Sequence, residues 1–161
     1  MQLYRLIYRS TAARPLGSAE LDRLVSQAQI YNFSHGVTGV LFYADQQFLQ
    51  EVEGPRAAVE EVYGHICHDA RHAQVTLIDR APAQHRLFPG WSLGFGEVEA
   101  PALARLASYL DPKSRALLFP RRCDAQLVIA ELLQEFVAQQ LRHPVRQAGN
   151  GRSAGVPNQF R

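Results

Sequence analysis

Three histidines, His65, His68 and His72, lie close to Asp69 and Cys67. If one helix ran through them they would share a face and offer imidazole nitrogens of the kind zinc takes. The same segment reads as a helix C-terminus, where the dipole favours His and Arg and such groups are solvated, so no metal is assigned to it. A glutamine makes a sharper anomaly. In the strand-like run QFLQEVE, Phe48, Gln50 and Val52 fall on one face and Leu49, Glu51 and Glu53 on the other, which inserts an amide into an apolar row. Buried without a partner it would cost about 1–3 kcal/mol. Either a polar group on that face meets Gln50, or it faces water at an edge or interface. Tyr8, at the end of the first strand-like run, is a natural neighbour. Asn32, near the end of a helical segment, is either a C-terminal cap or another polar group for the same place. Trp91, the only tryptophan, stands in the aromatic stretch LFPGWSLGF, which is ordinarily core or interface.

The elements that must position these side chains follow from periodicity. Gln2 to Arg9 is rich in strand formers, with Tyr4, Leu6 and Tyr8 on one face. Ser18 is a suitable N-cap, with Glu20 and Asp22 in the first turn and Leu21, Leu24, Val25 and Ala28 at helical spacing, so a helix is expected to about Tyr31–Asn32. Val37 to Tyr43 and Gln47 to Glu53 are β-rich and separated by Ala44, Asp45 and Gln46, a hairpin-length gap. Gly54 and Pro55 break the strand, and Val59, Val62, Tyr63 and Ile66 mark a second helix to about His68. Further strands are expected near Gln74 to Ala81 and Trp91 to Gly96. The order is β-α-β-β-α-β with one additional strand. That is an α+β, ferredoxin-like sheet with two helices on one face. Val37 to Tyr43 is nearly all apolar, so the other face must be covered too. Helices expected at Pro101 to Leu110 and Asp124 to Leu141 are the candidates for that cover.

The chain has 161 residues, 47% hydrophobic and 20% charged, which suits one compact domain plus an appendage. These fractions exclude global disorder, collagen and a disulfide-stapled miniprotein. The formal charge of +2 is spread along the chain, so neither nucleic acid nor an anionic membrane is called for. Cys67 and Cys123 form no CxxC pair, and a reducing cytoplasm is the expected location. The amino-terminal MQLYRLIYRS carries arginines inside its apolar stretch and reads as a strand, not a signal peptide. A domain at 1–98, a helical extension at 99–142 and a disordered tail at 143–161 are expected.

Taken in order, LYRLIYRS, NFSHGVTGVLFY, FLQEVEG, HDARH and RLFPGWSL resemble the BLUF family of blue-light photoreceptors that use FAD. The resemblance runs over about residues 1–97, and the helices beyond resemble those of the short, stand-alone members. It implies a photoreceptor rather than an enzyme. Tyr8 then corresponds to the tyrosine that gives an electron and a proton to the excited flavin, and Gln50 to the glutamine between that tyrosine and the flavin. Asn32 corresponds to the asparagine at the flavin ring, Asp69, Arg71 and His72 to the segment near its side chain and phosphates, and Trp91 to the tryptophan of the last strand. Leu93 stands where many members have methionine, and Tyr31 where Asn or His is common; these positions bear on signal exit and flavin affinity. The implied output is a reversible red shift passed to a partner protein or through an oligomer. The alternatives on the same scaffold are a light-independent flavin redox protein and a metal-binding or structural module.

Overall fold

The computed structural model describes residues 2–111, 125–140 and 146–147. Along the chain run β1 (Leu3–Ala12), α1 (Ser18–Ser34), β2 (Thr38–Ala44), β3 (Gln47–Pro55), α2 (Arg56–His68), β4 (His72–Ala83), β5 (Gly94–Glu97), α3 (Ala100–Leu110), α4 (Ala125–Gln140) and β6 (Arg146–Gln147). The strands form one sheet in the order β4-β1-β3-β2-β5-β6. Among the described residues only the β2–β5 pair is parallel. This is the α+β, ferredoxin-like arrangement, with α1 and α2 on the front of the sheet and α3 and α4 behind it.

Each face has its own apolar filling. In front, α1 packs Leu21, Leu24 and Val25 on Leu41, Phe48 and Phe95, while α2 packs Val59 and Val62 on Tyr4, Leu6 and Val52. Behind, Ile7, Val40, Phe42 and Leu49 meet Leu103, Leu106 and Leu110 of α3 and Leu133, Phe136 and Val137 of α4. That double cover is why β2 is apolar on both sides.

Several boundaries differ from the sequence expectation. Helix α1 takes Gly17, not Ser18, as its N-cap, and the Glu20 carboxylate accepts the Gly17 N–H at 3.1 Å. It continues to Ser34, so Asn32 lies inside the helix and is not its cap. The β2–β3 hairpin turns on two residues, Asp45 and Gln46, both at positive φ as a type I′ turn requires. Strand β5 begins only at Gly94, where parallel pairing with β2 starts, which leaves Trp91 and Leu93 in the connection before it. Within the stretch expected to be a tail, Arg146 and Gln147 pair with Phe95 and Gly94. The remainder of that stretch lies outside the described residues, as do Asp124 and Leu141.

The connection from β4 to β5 runs between strands on opposite sides of the sheet, and buried charge holds it. The Glu53 carboxylate accepts the backbone N–H groups of Leu87 at 2.8 Å and Phe88 at 2.7 Å. Arg86 donates to the Glu53 carbonyl at 2.9 Å, to Thr38 Oγ1 at 2.7 Å and to the Gly36 carbonyl at 2.7 Å.

Glu51, on the same face, is buried differently. Neither of its carboxylate oxygens has a hydrogen-bond partner among the described residues, although Arg5 Nε lies 3.2 Å away. Burial, then the neighbouring Glu53, pushes its pKa well above the ordinary range despite Arg5. A glutamate whose folded pKa is raised binds its proton more tightly folded than unfolded. Its stability contribution is therefore intact below the unfolded value of about 4.3 and is lost as pH rises through the folded one. Glu51→Gln is expected to flatten this decline, so that the variant gains stability relative to the parent between pH 5 and pH 8 in urea unfolding. A variant less stable than the parent by the same amount at both pH values would mean a charged, paired Glu51.

Candidate functional site

The anomaly in β3 sits opposite its expected neighbour. The register of the antiparallel β1–β3 pair places Tyr8 across from Gln50, on the front face. Tyr8 is fully buried and its hydroxyl donates to Gln50 Oε1. Burial, the largest cause, drives the phenol pKa far above its usual value, with Cys67, Tyr63 and Asp69 adding to it. The phenol is neutral at physiological pH. A glutamine amide carries a donor as well as an acceptor, so beside the oxygen that Tyr8 engages Gln50 brings an N–H donor to the strand.

A cavity of about 430 Å³ opens beside this pair, between α1 and α2. Its floor is Tyr8, Leu41 and Gln50; Leu24, Gln27, Ala28, Tyr31 and Asn32 of α1 form one wall, and Val62, His65, Ile66 and His68 of α2 the other. The α1 contribution has a helical spacing (24, 27/28, 31) that could have been read from the sequence. Asn32 is 1% exposed, and its Nδ2 donates to the Ser92 carbonyl at 2.9 Å. Its side-chain oxygen is an acceptor, and the residue lines the cavity.

Asp69, Arg71 and His72 complete the lining of the cavity. Arg71 grips Asp69 through contacts of 2.7–3.0 Å from its guanidinium and one of 2.9 Å from its backbone N–H. Partial burial opposes the Asp69 charge, but these bonds outweigh it and hold the carboxyl below its usual pKa. Arg71 also reaches Gln27 Oε1 at 2.8 Å, which ties the two walls together. Burial lowers the His72 pKa, and its Nδ1 lies 2.7 Å from Ser10 Oγ. His68 Nδ1 bonds the Gly64 carbonyl at 2.8 Å and His65 packs on the Tyr31 ring, so the three histidines have separate engagements. Among the described residues no cluster of His, Cys, Asp and Glu is arranged to hold a metal. Tyr31 stacks on His35 at 4.1 Å and donates to Glu61 at 3.3 Å.

Trp91 and Leu93 do not line the cavity. Trp91 packs behind the sheet against Phe88, at 5.5 Å between ring centroids, and its ring covers Gly94 so closely that a Cβ there would fall 2.2 Å from it. Leu93 is buried in the front cluster, beside Leu24 and Leu41.

The site is thus a largely apolar slot with the Gln50 and Asn32 amides and the Asp69–Arg71 ion pair in its lining. Those groups fit a flat heteroaromatic ring with donor and acceptor edges. Fold and cavity together define a ligand-binding α+β domain of the ferredoxin-like class. Residues 3–94 match the family described as sensors of blue light using FAD, and the chain belongs to that BLUF family. It is 37% identical over 92 residues to the photoactivated adenylate cyclase subunit beta of Euglena gracilis, across 56% of this chain and 11% of that protein. It spans about a tenth of that relative's length. Among solved structures, the BLUF protein BlrB in its dark state superposes with a TM-score of 0.59 at 30% identity, covering 83% of this chain and 97% of that one. Klebsiella pneumoniae BlrP1 with FMN and cyclic diGMP superposes with a TM-score of 0.57 at 27% identity, over 87% of this chain and 36% of that one. The domain is a flavin-binding blue-light sensor, and no described helix is long and apolar enough to cross a membrane.

Proposed function

We propose that this chain senses blue light through FAD held in the α1–α2 cavity, by a reversible change in the hydrogen bonds of Tyr8 and Gln50, and that it passes the signal to a partner protein or through an oligomer in the cytoplasm. The observation that carries this reading is the buried Tyr8–Gln50 hydrogen bond on the cavity floor. When bound, the flavin supplies a ring that absorbs visible light and, once excited, accepts an electron. Tyr8 would give both that electron and its phenolic proton to the bound ring, because a neutral phenol this deeply buried does not ionise on its own. Gln50 accepts from Tyr8 through its oxygen and carries a donor on its nitrogen, so rotation or tautomerisation of its amide would reverse the polarity of its contacts without moving the strand. The rearranged hydrogen bonds of Tyr8 and Gln50 would relax in darkness, with both side chains as they began. Asn32 holds the ring edge, Tyr31 its outer side, and Asp69, Arg71 and His72 the polar end of the ligand. Trp91 and Leu93 report the change from outside the cavity. The exposed free thiol of Cys67 suits a reducing compartment.

The test is an absorption spectrum of the flavin-loaded chain in darkness and after blue light, with chromatography of the extracted flavin. A small red shift that recovers in the dark, with FAD extracted, is expected. Flavin that bleaches would indicate redox chemistry instead. A normal shift with only FMN extracted would correct the cofactor and leave the photochemistry standing.

A further inference from the structure

The segment Trp91–Ser92–Leu93 joins the two faces of the sheet. Trp91 lies in the rear cluster and Leu93, two residues on, in the front one. Each of its carbonyls is held. Gly39 N–H donates to the Trp91 carbonyl at 3.0 Å, Asn32 Nδ2 to that of Ser92 at 2.9 Å, and Gln29 Nε2 to that of Leu93 at 3.0 Å. Gln29 and Asn32 are one turn apart on α1, so two adjacent donors project from one rigid support. They differ in one respect: Asn32 lines the cavity and Gln29 does not.

We propose that Gln29 is a positioning residue that couples the cavity to the rear face of the sheet by tying the Leu93 carbonyl to α1. The proposal rests on the reading of the cavity as a flavin photosite. Asn32 serves both the cavity and Ser92, so a change in how it is used inside is felt at the Ser92 carbonyl. With Leu93 fixed by Gln29, the segment turns about that point and the displacement reaches Trp91, whose ring lies on Gly94 and which lines one rear cavity with Gln134, Val137 and Ala138 of α4. With Gln29 removed, Leu93 yields locally and the displacement stops there.

The experiment uses the FAD-loaded full chain and three substitutions. Gln29→Met keeps the length without a donor, Gln29→Glu offers only acceptors, and Gln29→Lys restores an N–H donor. Two quantities are read: the amplitude of the red shift, and the light-minus-dark difference in amide exchange over Gly94–Glu97. The red shift is expected to persist in all three. The exchange difference is expected to fall about two- to tenfold in the Met and Glu variants, the effect of one neutral hydrogen bond on an opening equilibrium, and to return with Lys. A full exchange difference in Gln29→Met overturns the proposal. So does failure of Lys to restore it, or loss of flavin from both the Met and Glu variants, since either assigns Gln29 a purely structural role. Absence of a red shift in the unmodified chain is a separate result that overturns the photosensor reading, and the proposal with it.

Discussion

Tyr8→Phe is expected to retain flavin and to show no blue-light red shift at all. The substitution removes one oxygen from a ring whose other contacts, with Tyr63 at 5.7 Å and the α2 residues behind it, are unchanged. It also removes the phenolic proton that would move with the electron. Gln50→Ala should lose the same response by removing the group that relays the change. The two variants separate in stability. Phe at position 8 leaves the Gln50 oxygen without its donor, a cost of about 1–3 kcal/mol in a buried setting. Ala at position 50 also enlarges the cavity, so weaker flavin retention is expected there. Absorption difference spectra before and after illumination check both, and a persistent shift in Tyr8→Phe would remove Tyr8 from the photochemistry.

Gly39→Ala should be the most damaging single methyl group in the sheet. A Cβ at this position would lie 2.0 Å from the Glu51 carbonyl oxygen and 3.1 Å from the Val52 Cα, both main-chain atoms of the paired strand. Main chain cannot rotate away as a side chain can, so the β2–β3 pair must separate or shift register. A loss of about 3–5 kcal/mol is expected, a large part of the roughly 5–15 kcal/mol that holds a domain folded. The same step pulls Gly39 N–H from the Trp91 carbonyl, so the connection before β5 loosens as well. Urea unfolding against the parent chain measures this; a change below about 1 kcal/mol would show that the strands part without cost.

The expected photochemistry is a weak lever. Rearranging one neutral hydrogen bond is worth about 0.5–1.5 kcal/mol, whereas moving a population from 1:99 to 99:1 takes about 5.5 kcal/mol. The output element must therefore be nearly balanced beforehand. The Trp91–Leu93 segment suits that role, because it is fastened by single hydrogen bonds and followed by a strand of only four residues, Gly94–Glu97.

The order of strands and helices was legible in the sequence because each element repeats its apolar positions locally, at a period of two or of about 3.6. Gln50 stood out for the same reason, as the one amide in the apolar row of Phe48 and Val52. Nothing local, however, says that β1 pairs with β3 so that Tyr8 faces Gln50, and this register created the pair. The sequence expectation of a strand over Trp91 to Gly96 includes Trp91; tertiary structure leaves it out, since the parallel pairing with β2 begins at Val40 opposite Gly94. The contacts of Gln29 with Leu93, Asn32 with Ser92 and Glu53 with Phe88 span 64, 60 and 35 positions of chain, and these polar residues carry no periodic signal. Sequence by itself determined the elements, their apolar faces and the family to which the chain is similar. Only the folded chain decided which polar side chains meet, because hydrogen bonds depend on distances of a few tenths of an ångström that packing sets and composition does not.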